Sequence, residues 1–231
     1  MNRYQVIFFD LDHTLWDFDR NSEETLQELY AQHRLSERGV PDEFVFIETY
    51  RLYNKMLWND YHLGKVSKEQ LRIMRFAHTF DTFGFRDLQL ESKFADQYLE
   101  RSPYKKHLIP GAEMVLTQLS SDRSLHIITN GFREVQRIKI DTSGLSKYFD
   151  HIHISEEVGS MKPDPAIFHH AVGKSGREPA ACVMIGDNFD TDILGAERAG
   201  IDAIFYNPSG TDFPEYKGNR VRKLEELLHL L

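Results

Sequence analysis

The sequence lacks most of what would mark a secreted, membrane-embedded or disordered chain. It has one cysteine, Cys182, so no intrachain disulfide and no multi-thiolate zinc site can form; this suits a reducing compartment and makes the cytoplasm the expected location. Long apolar runs are missing. The first short one, Val6-Ile7-Phe8-Phe9, is too brief for the hydrophobic region of a signal peptide, is followed at once by acids, and reads as a buried strand. No internal repeat or low-complexity segment is found. Positive charge is in deficit: 28 Lys and Arg against 36 Asp and Glu leave −8, which repels polyanions and disfavours nucleic-acid polymers and anionic membrane surfaces as partners. A small anion can still be held locally. What the chain does have is 41% apolar residues, including 16 Phe and 10 Tyr, enough for a full core in a chain that buries roughly 70–75% of its unfolded surface.

Short apolar or β-branched runs recur at Leu125 to Ile128, Ile152 to Ile154, Val183 to Ile185 and Ala203 to Tyr206. Helical stretches such as Gly111 to Leu119, Pro165 to Val172 and Thr191 to Ala199 lie between them, so strand and helix alternate from about residue 108. That alternation predicts an α/β fold with a doubly wound parallel sheet. The segment 16–102 breaks the rhythm, with helix signals and no strand. Asn21 with Glu24 and Ser67 with Gln70 have capping-box spacing, Pro41 suits a first helical turn, and Gly39, Gly64 and Gly84 suit helix ends. Leu26, Leu29, Tyr30 and then Phe44, Ile47, Tyr50 recur at the spacing of buried helix faces. Four helices are expected there, inserted into a core made of 1–15 and 103–231.

The first strand runs into Asp10-Leu11-Asp12-His13-Thr14, where two carboxylates two residues apart project to the same side of an extended chain. An acid pair there is costly unless a cation or a function compensates it; the plain alternative is a polar exit in which Asp12 and Thr14 satisfy turn amides. The second strand ends Thr129-Asn130-Gly131 and the fourth ends Gly186-Asp187-Asn188-Phe189-Asp190-Thr191-Asp192. Ligands of open parallel sheets bind outside the carboxyl ends of strands, so these distant clusters point at one crevice. Thr129 and the amides of Asn130 and Gly131 can donate to phosphoryl oxygens, Asp10 and Asp187 offer hard oxygen ligands for Mg²⁺, and Lys162, after the third strand, can supply a cation.

These four segments, in order, resemble the motifs of the haloacid dehalogenase (HAD) superfamily of Mg²⁺-dependent phosphatases, and segment 16–102 occupies the position of its helical cap domain. The resemblance implies that Asp10 is a nucleophile forming an aspartyl-phosphate, and that Asp12 is the general acid and base, its backbone carbonyl joining Asp10 and Asp187 on Mg²⁺. It further implies that Thr129 and Lys162 hold the phosphoryl group, and that Asp192 is the second acid of the fourth motif, with Asp190 as competitor. Haloacid dehalogenases proper lack the second aspartate of the first motif, so Asp12 favours phosphoryl chemistry; phosphomutases of the same fold keep all four motifs. The cap stretch Asn54 to Gly64, Ile128 to Phe132 and Ile154 to Gly159 resemble the pyrimidine 5′-nucleotidases of the superfamily. The expected substrate is therefore a small phosphate ester, a nucleoside 5′-monophosphate, with Asn54 and Trp58 as candidate contacts and Trp16 and Phe18 either near the base or packed at the hinge. A sugar-phosphate or phosphoglycolate phosphatase and a phosphomutase are the enzymatic alternatives, and a phosphate-binding regulatory module the non-enzymatic one. The linkers near Trp16 and Ser102-Pro103 are the expected hinges of a water-excluding lid. His151 and His153 alternate on a strand and are read as surface positions, His13 as facing away from both acids, and Cys182 as an inert core thiol.

Overall fold

The computed structural model describes residues 3–231. Two compact units emerge: one runs through Phe18 and resumes at Lys105, the other spans Asp19–Tyr104. The first is built on six parallel strands, β1 (Val6–Phe9), β2 (Ser124–Thr129), β3 (His151–Ile154), β4 (Cys182–Gly186), β5 (Asp202–Tyr206) and β6 (Asn219–Val221), in the order β3-β2-β1-β4-β5-β6. The sixth strand was not foreseen; three residues reading Asn-Arg-Val carry no apolar run, and only pairing with β5 makes them a strand. Alternation along β1 supplies both faces of the sheet. Ile7 and Phe9 join Leu125, Ile127, Val183 and Ile185 in one apolar layer, while Val6 and Phe8 join Ile128, Cys182 and Met184 in the other. Among the described residues no helix is long and apolar enough to cross a membrane.

The helical unit contains α1 (Phe18–Gln32), α2 (Glu43–His62), α3 (Lys68–Thr82) and α4 (Leu88–Arg101). Ser67 and Gln70 form the expected capping box, and Gly64 and Gly84 take positive φ just past helix ends. Three local expectations fail for identifiable reasons. Helix α1 begins at Phe18, so Asn21 lies inside its first turn, fully buried, and cannot be a cap with Glu24. Asp42, not Pro41, precedes α2 and accepts the amide of Val45 at 2.9 Å, which leaves Pro41 outside the helix. Phe44 is exposed; Phe46, two residues on and on another face, enters the core beside Phe76, Phe80 and Phe94. The boundaries also differ from 16 and 102. Trp16 is fully buried in the sheet unit, pairs with Leu108 and donates its indole N–H to the Lys105 carbonyl at 3.2 Å, so the chain leaves that unit only after Phe18.

Helices α5 (Ala112–Leu119) and α6 (Arg133–Thr142) cover one face of the sheet, and α8 (Pro165–Ser175) and α9 (Leu194–Arg198) the other, with the short α7 (Ser155–Val158) after β3. Under α8 lies a feature the sequence reading placed at the surface. His153 is buried, and its Nε2 lies 3.2 Å from Nδ1 of the fully buried His126, with the His151 and His170 rings in contact. Register explains it: His126 pairs with His151 and Ile128 with His153, so all point to the face that α8 covers. Burial, reinforced by neighbouring imidazoles, lowers His126 to about 4, and the same causes with Lys174 lower His153 to about 3. Both groups bind protons more readily when unfolded, so their contribution is complete above about pH 6.5 and is lost as pH falls toward 4 and 3. The share of stability that these two histidines contribute should hold steady from pH 8 to 7 and fall below pH 6, by up to about 1.4 kcal/mol per pH unit for each histidine, read as the difference in urea midpoint between the unaltered protein and a variant lacking both. The His126→Asn/His153→Gln double variant supplies the comparison; a difference independent of pH would remove these two histidines as a source.

Candidate active site

Strand order reverses between β1 and β4, the place where open α/β sheets form a ligand crevice. Asp10 follows β1 and stays in register, its amide donating to the Ile185 carbonyl at 2.9 Å. The chain then turns sharply: the amides of Leu15 and Trp16 both donate to the Leu11 carbonyl, and His13 adopts φ 64 with its ring against Phe18. This turn holds Asp10, Asp12 and Thr14 at the carboxyl end of the sheet.

Lys162 is the centre of the arrangement. Its ammonium, 2% exposed, donates to Asp10 Oδ1 at 2.6 Å and the Ile128 carbonyl at 2.8 Å and lies 2.7 Å from Asp192 Oδ1. Asp10, Asp187 and Asp192 bring carboxylate oxygens within 4.8 Å of one another. Burial pushes Asp10 well above the ordinary carboxylate range, Lys162 opposing and Asp192 and Asp187 adding to it; burial and Asp192 do the same to Asp187. Burial would lower the Lys162 ammonium, but the charges of Asp10 and Asp192 outweigh it and hold it above its usual value. Three acids around one lysine are thus short of positive charge, and a hard divalent cation is the species that such a set of oxygens fits.

The two candidates for the second acid of the last motif separate clearly. Asp190 is exposed, whereas Asp192 is 1% exposed and reaches back to Lys162 and to the amide of Asn188. Asn188 builds this return by accepting the amides of Asp190 and Thr191 at 3.1 Å, which starts the π-helical turn Phe189–Ile193 ahead of α9. Gly186 makes it sterically possible, because a Cβ there would collide with the Asp192 carboxylate.

Thr129, at the end of β2, accepts from the Gly131 amide at 3.2 Å and from Gln136 Nε2 at 2.7 Å, which leaves its own proton to donate. The Asn130 side chain clamps the next loop: Nδ2 donates to the Lys162 carbonyl and Oδ1 accepts the Lys162 amide. Asp12 accepts from Lys139 Nζ at 2.6 Å and from Gln136 Nε2 at 2.7 Å. Burial raises its carboxyl, but Lys139, Gln136 and the charge of His13 together hold it below the ordinary range. Lys139 is itself seated 4.3 Å from the Trp16 ring centroid, so Trp16 packs beneath the site. Sequence reasoning missed Gln136 and Lys139. Their signal was available: with Ile140 they form the buried stripe of α6, an unusual place for a Gln and a Lys. Thr14, read only as a turn residue, donates to Asp187 Oδ1 at 3.0 Å and accepts the Asp187 amide at 3.1 Å. Asn54 and Trp58 lie on α2 in the helical unit, Asn54 buried and Trp58 half-buried against Tyr61 and His62.

Residues 4–200 match the haloacid dehalogenase-like hydrolase model, which spans the acids of β1 and β4 together with Thr129 and Lys162. The chain belongs to this family. It is 37% identical to the pyrimidine 5′-nucleotidase PynA of Streptococcus pneumoniae, over 89% of this chain and 84% of that one. It is 31% identical to the pyrimidine 5′-nucleotidase YjjG of Escherichia coli, over 98% of each. The HAD-hydrolase YfnB of Bacillus subtilis, solved with magnesium bound and described as revealing interdomain movement, superposes with a TM-score of 0.88 at 27% identity, covering 100% of this chain and 99% of that one. With such relatives the chain is a phosphatase of the family, and its α/β fold with a helical insert is the family's fold.

Proposed function

We propose that the protein is a Mg²⁺-dependent 5′-nucleotidase hydrolysing pyrimidine nucleoside monophosphates through an aspartyl-phosphate, with residues 19–104 as its substrate-selecting cap. The observation that carries the chemistry is the clamping of Asp10 by Lys162 amid Asp187 and Asp192 at the carboxyl ends of β1 and β4. Lys162 pins one oxygen of Asp10, and the other attacks phosphorus. As the Asp10 oxygen–phosphorus bond forms and the ester bond breaks, the leaving alkoxide takes a proton from Asp12. Asp12 then removes a proton from water, whose oxygen attacks the same phosphorus, releasing inorganic phosphate and restoring the Asp10 carboxylate.

Lys139 and Gln136 orient Asp12 and keep it ionised in the free protein; an arriving phosphate dianion raises its affinity for a proton, which it takes from solvent before the first displacement. The Thr129 hydroxyl and the Lys162 ammonium neutralise the transferring group. Asp10, Asp187 and Asp192, with the Asp12 carbonyl, would hold Mg²⁺, which when bound adds positive charge at the phosphoryl oxygens. The nucleotide assignment is supported by PynA and YjjG, both pyrimidine 5′-nucleotidases.

Phosphate release should be brisk with UMP, dUMP and dTMP in the presence of Mg²⁺ and should disappear with a chelator. Slow release from all three beside brisk release from phosphoglycolate or a sugar phosphate would remove the nucleotide assignment while keeping the chemistry. Transfer of the phosphoryl group to a second hydroxyl of the substrate, in place of water, would make the protein a mutase.

A further inference from the structure

Helix α2 carries an apolar face that stays in solvent. Nine large apolar side chains are exposed among the described residues, and five of them, Phe44, Val45, Leu52, Met56 and Leu63, lie on α2 or at its C-cap. Val45, Leu52 and Met56 are spaced by seven and then four, so at about 3.6 residues per turn they form one straight stripe, which Leu63 prolongs past the last turn. The buried residues of the same helix, Phe46, Ile47, Tyr50, Asn54 and Leu57, centre on the opposite side, so the stripe points away from the core of the helical unit. Leu52, near the middle of the helix, is 65% exposed. A single exposed leucine is ordinary, whereas a contiguous stripe is the mark of a contact surface. Charge edges the stripe on one flank. Glu48 and Lys55 are seven residues apart, two turns along the same side, and both are exposed. Arg51 takes only Oε1 of Glu48, which leaves Oε2 open, and no ion pair is found for Lys55 among the described residues.

This pattern is its own complement when the helix direction is reversed. About a twofold axis close to Leu52, Leu52 meets Leu52 of the second copy, Val45 meets Met56, Met56 meets Val45, and Glu48 faces Lys55 on both sides of the axis. A parallel pairing would set Glu48 against Glu48 and Lys55 against Lys55, so the charges select the antiparallel one. We propose that this face of α2 is an isologous docking surface for a second copy of the chain, the two α2 helices packing antiparallel about Leu52. The contact is confined to one helix pair, at the small end of protein interfaces, and the expected Kd is about 1–50 μM.

Sedimentation equilibrium of the full chain between about 1 and 500 μM should show monomer passing into dimer within that range. Leu52→Glu should raise Kd about 50-fold or more, because it removes apolar contact and brings two carboxylates together at the axis. The side chain is exposed, so the melting temperature of this variant in dilute solution should stay within about 2 °C of the unaltered protein. Glu48→Lys and Lys55→Glu should each raise Kd about tenfold or more at low salt, since each variant pairs like charges with its own copy. An equimolar mixture of these two variants should regain the dimer as a heterodimer, in which every charge on the flank faces an opposite one. A chain that stays monomeric throughout, a dimer indifferent to Leu52→Glu, or a mixture no more associated than its components would overturn the assignment. So would a monomer that cosediments with phosphatidylcholine vesicles and loses this as Leu52→Glu, which would give the stripe to a lipid surface.

Discussion

Asp10→Asn should reduce phosphate release from every ester by roughly four orders of magnitude or more while leaving a folded protein. The amide nitrogen that replaces one carboxylate oxygen is no nucleophile, so the covalent step has no entry; binding and the remaining electrostatics cannot replace it. Stability should not suffer, because burial and the neighbouring Asp187 and Asp192 already disfavour the charged form of Asp10. Lys162 keeps Asp192 and the Ile128 carbonyl as partners when Asp10 is neutral. The melting temperature should therefore equal or exceed that of the unaltered protein. Turnover within tenfold of normal by a protein shown to be free of unaltered enzyme would move the nucleophile to another residue.

Lys162→Met reaches both activity and stability. In the mechanism proposed above Lys162 stabilises the transferring phosphoryl group, and removing such a charge should cost about 10²- to 10³-fold in rate. It also leaves Asp10, Asp187 and Asp192 buried together with no lysine among them, and breaking a buried pair in this way costs roughly 3–5 kcal/mol, or about 10 °C in a chain of this size. The direction with pH follows from the sign of the shifts. Without Lys162 the acids hold protons more tightly folded than unfolded, which adds stability at low pH and removes it as pH rises through their folded values. In chelator, the gap in melting temperature between the variant and the unaltered protein should widen from pH 5 to pH 8. A gap independent of pH would mean that Lys162 is retained for packing rather than for its charge. Lys162→Arg should rescue neither property, since a planar guanidinium cannot serve three partners around a site sized for an ammonium.

The legible part of this protein was the part with local rules. Strands buried on both faces are short apolar runs whatever surrounds them, so β1, β2 and β4 stand out, and Ser67 with Gln70 forms its capping box within four residues of chain. Asp10, Thr129, Lys162 and Asp187 were legible as a set because each lies at or beyond the carboxyl end of a strand and strand ends in a parallel sheet share one edge. Asn21, Pro41 and Phe44 were misread where two neighbouring starts or faces were locally equivalent and packing chose between them.

Roles that depend on a distant partner were not legible. Gln136 and Lys139 act on Asp12, more than a hundred residues away, and Asn130 secures the backbone of Lys162. The choice of Asp192 over Asp190 has the same origin. Both are aspartates on one short turn, and only the π-helical return, with Gly186 clearing the space, brings one carboxylate to Lys162 and leaves the other in solvent. The sequence by itself determined the sheet, the helical insert and the order of the candidate site residues, because periodicity and strand ends are properties of the local chain. Burial and charge pairing, which set proton affinities and decide which donors are left for a ligand, come from residues far apart in sequence, so the tertiary structure alone could decide them.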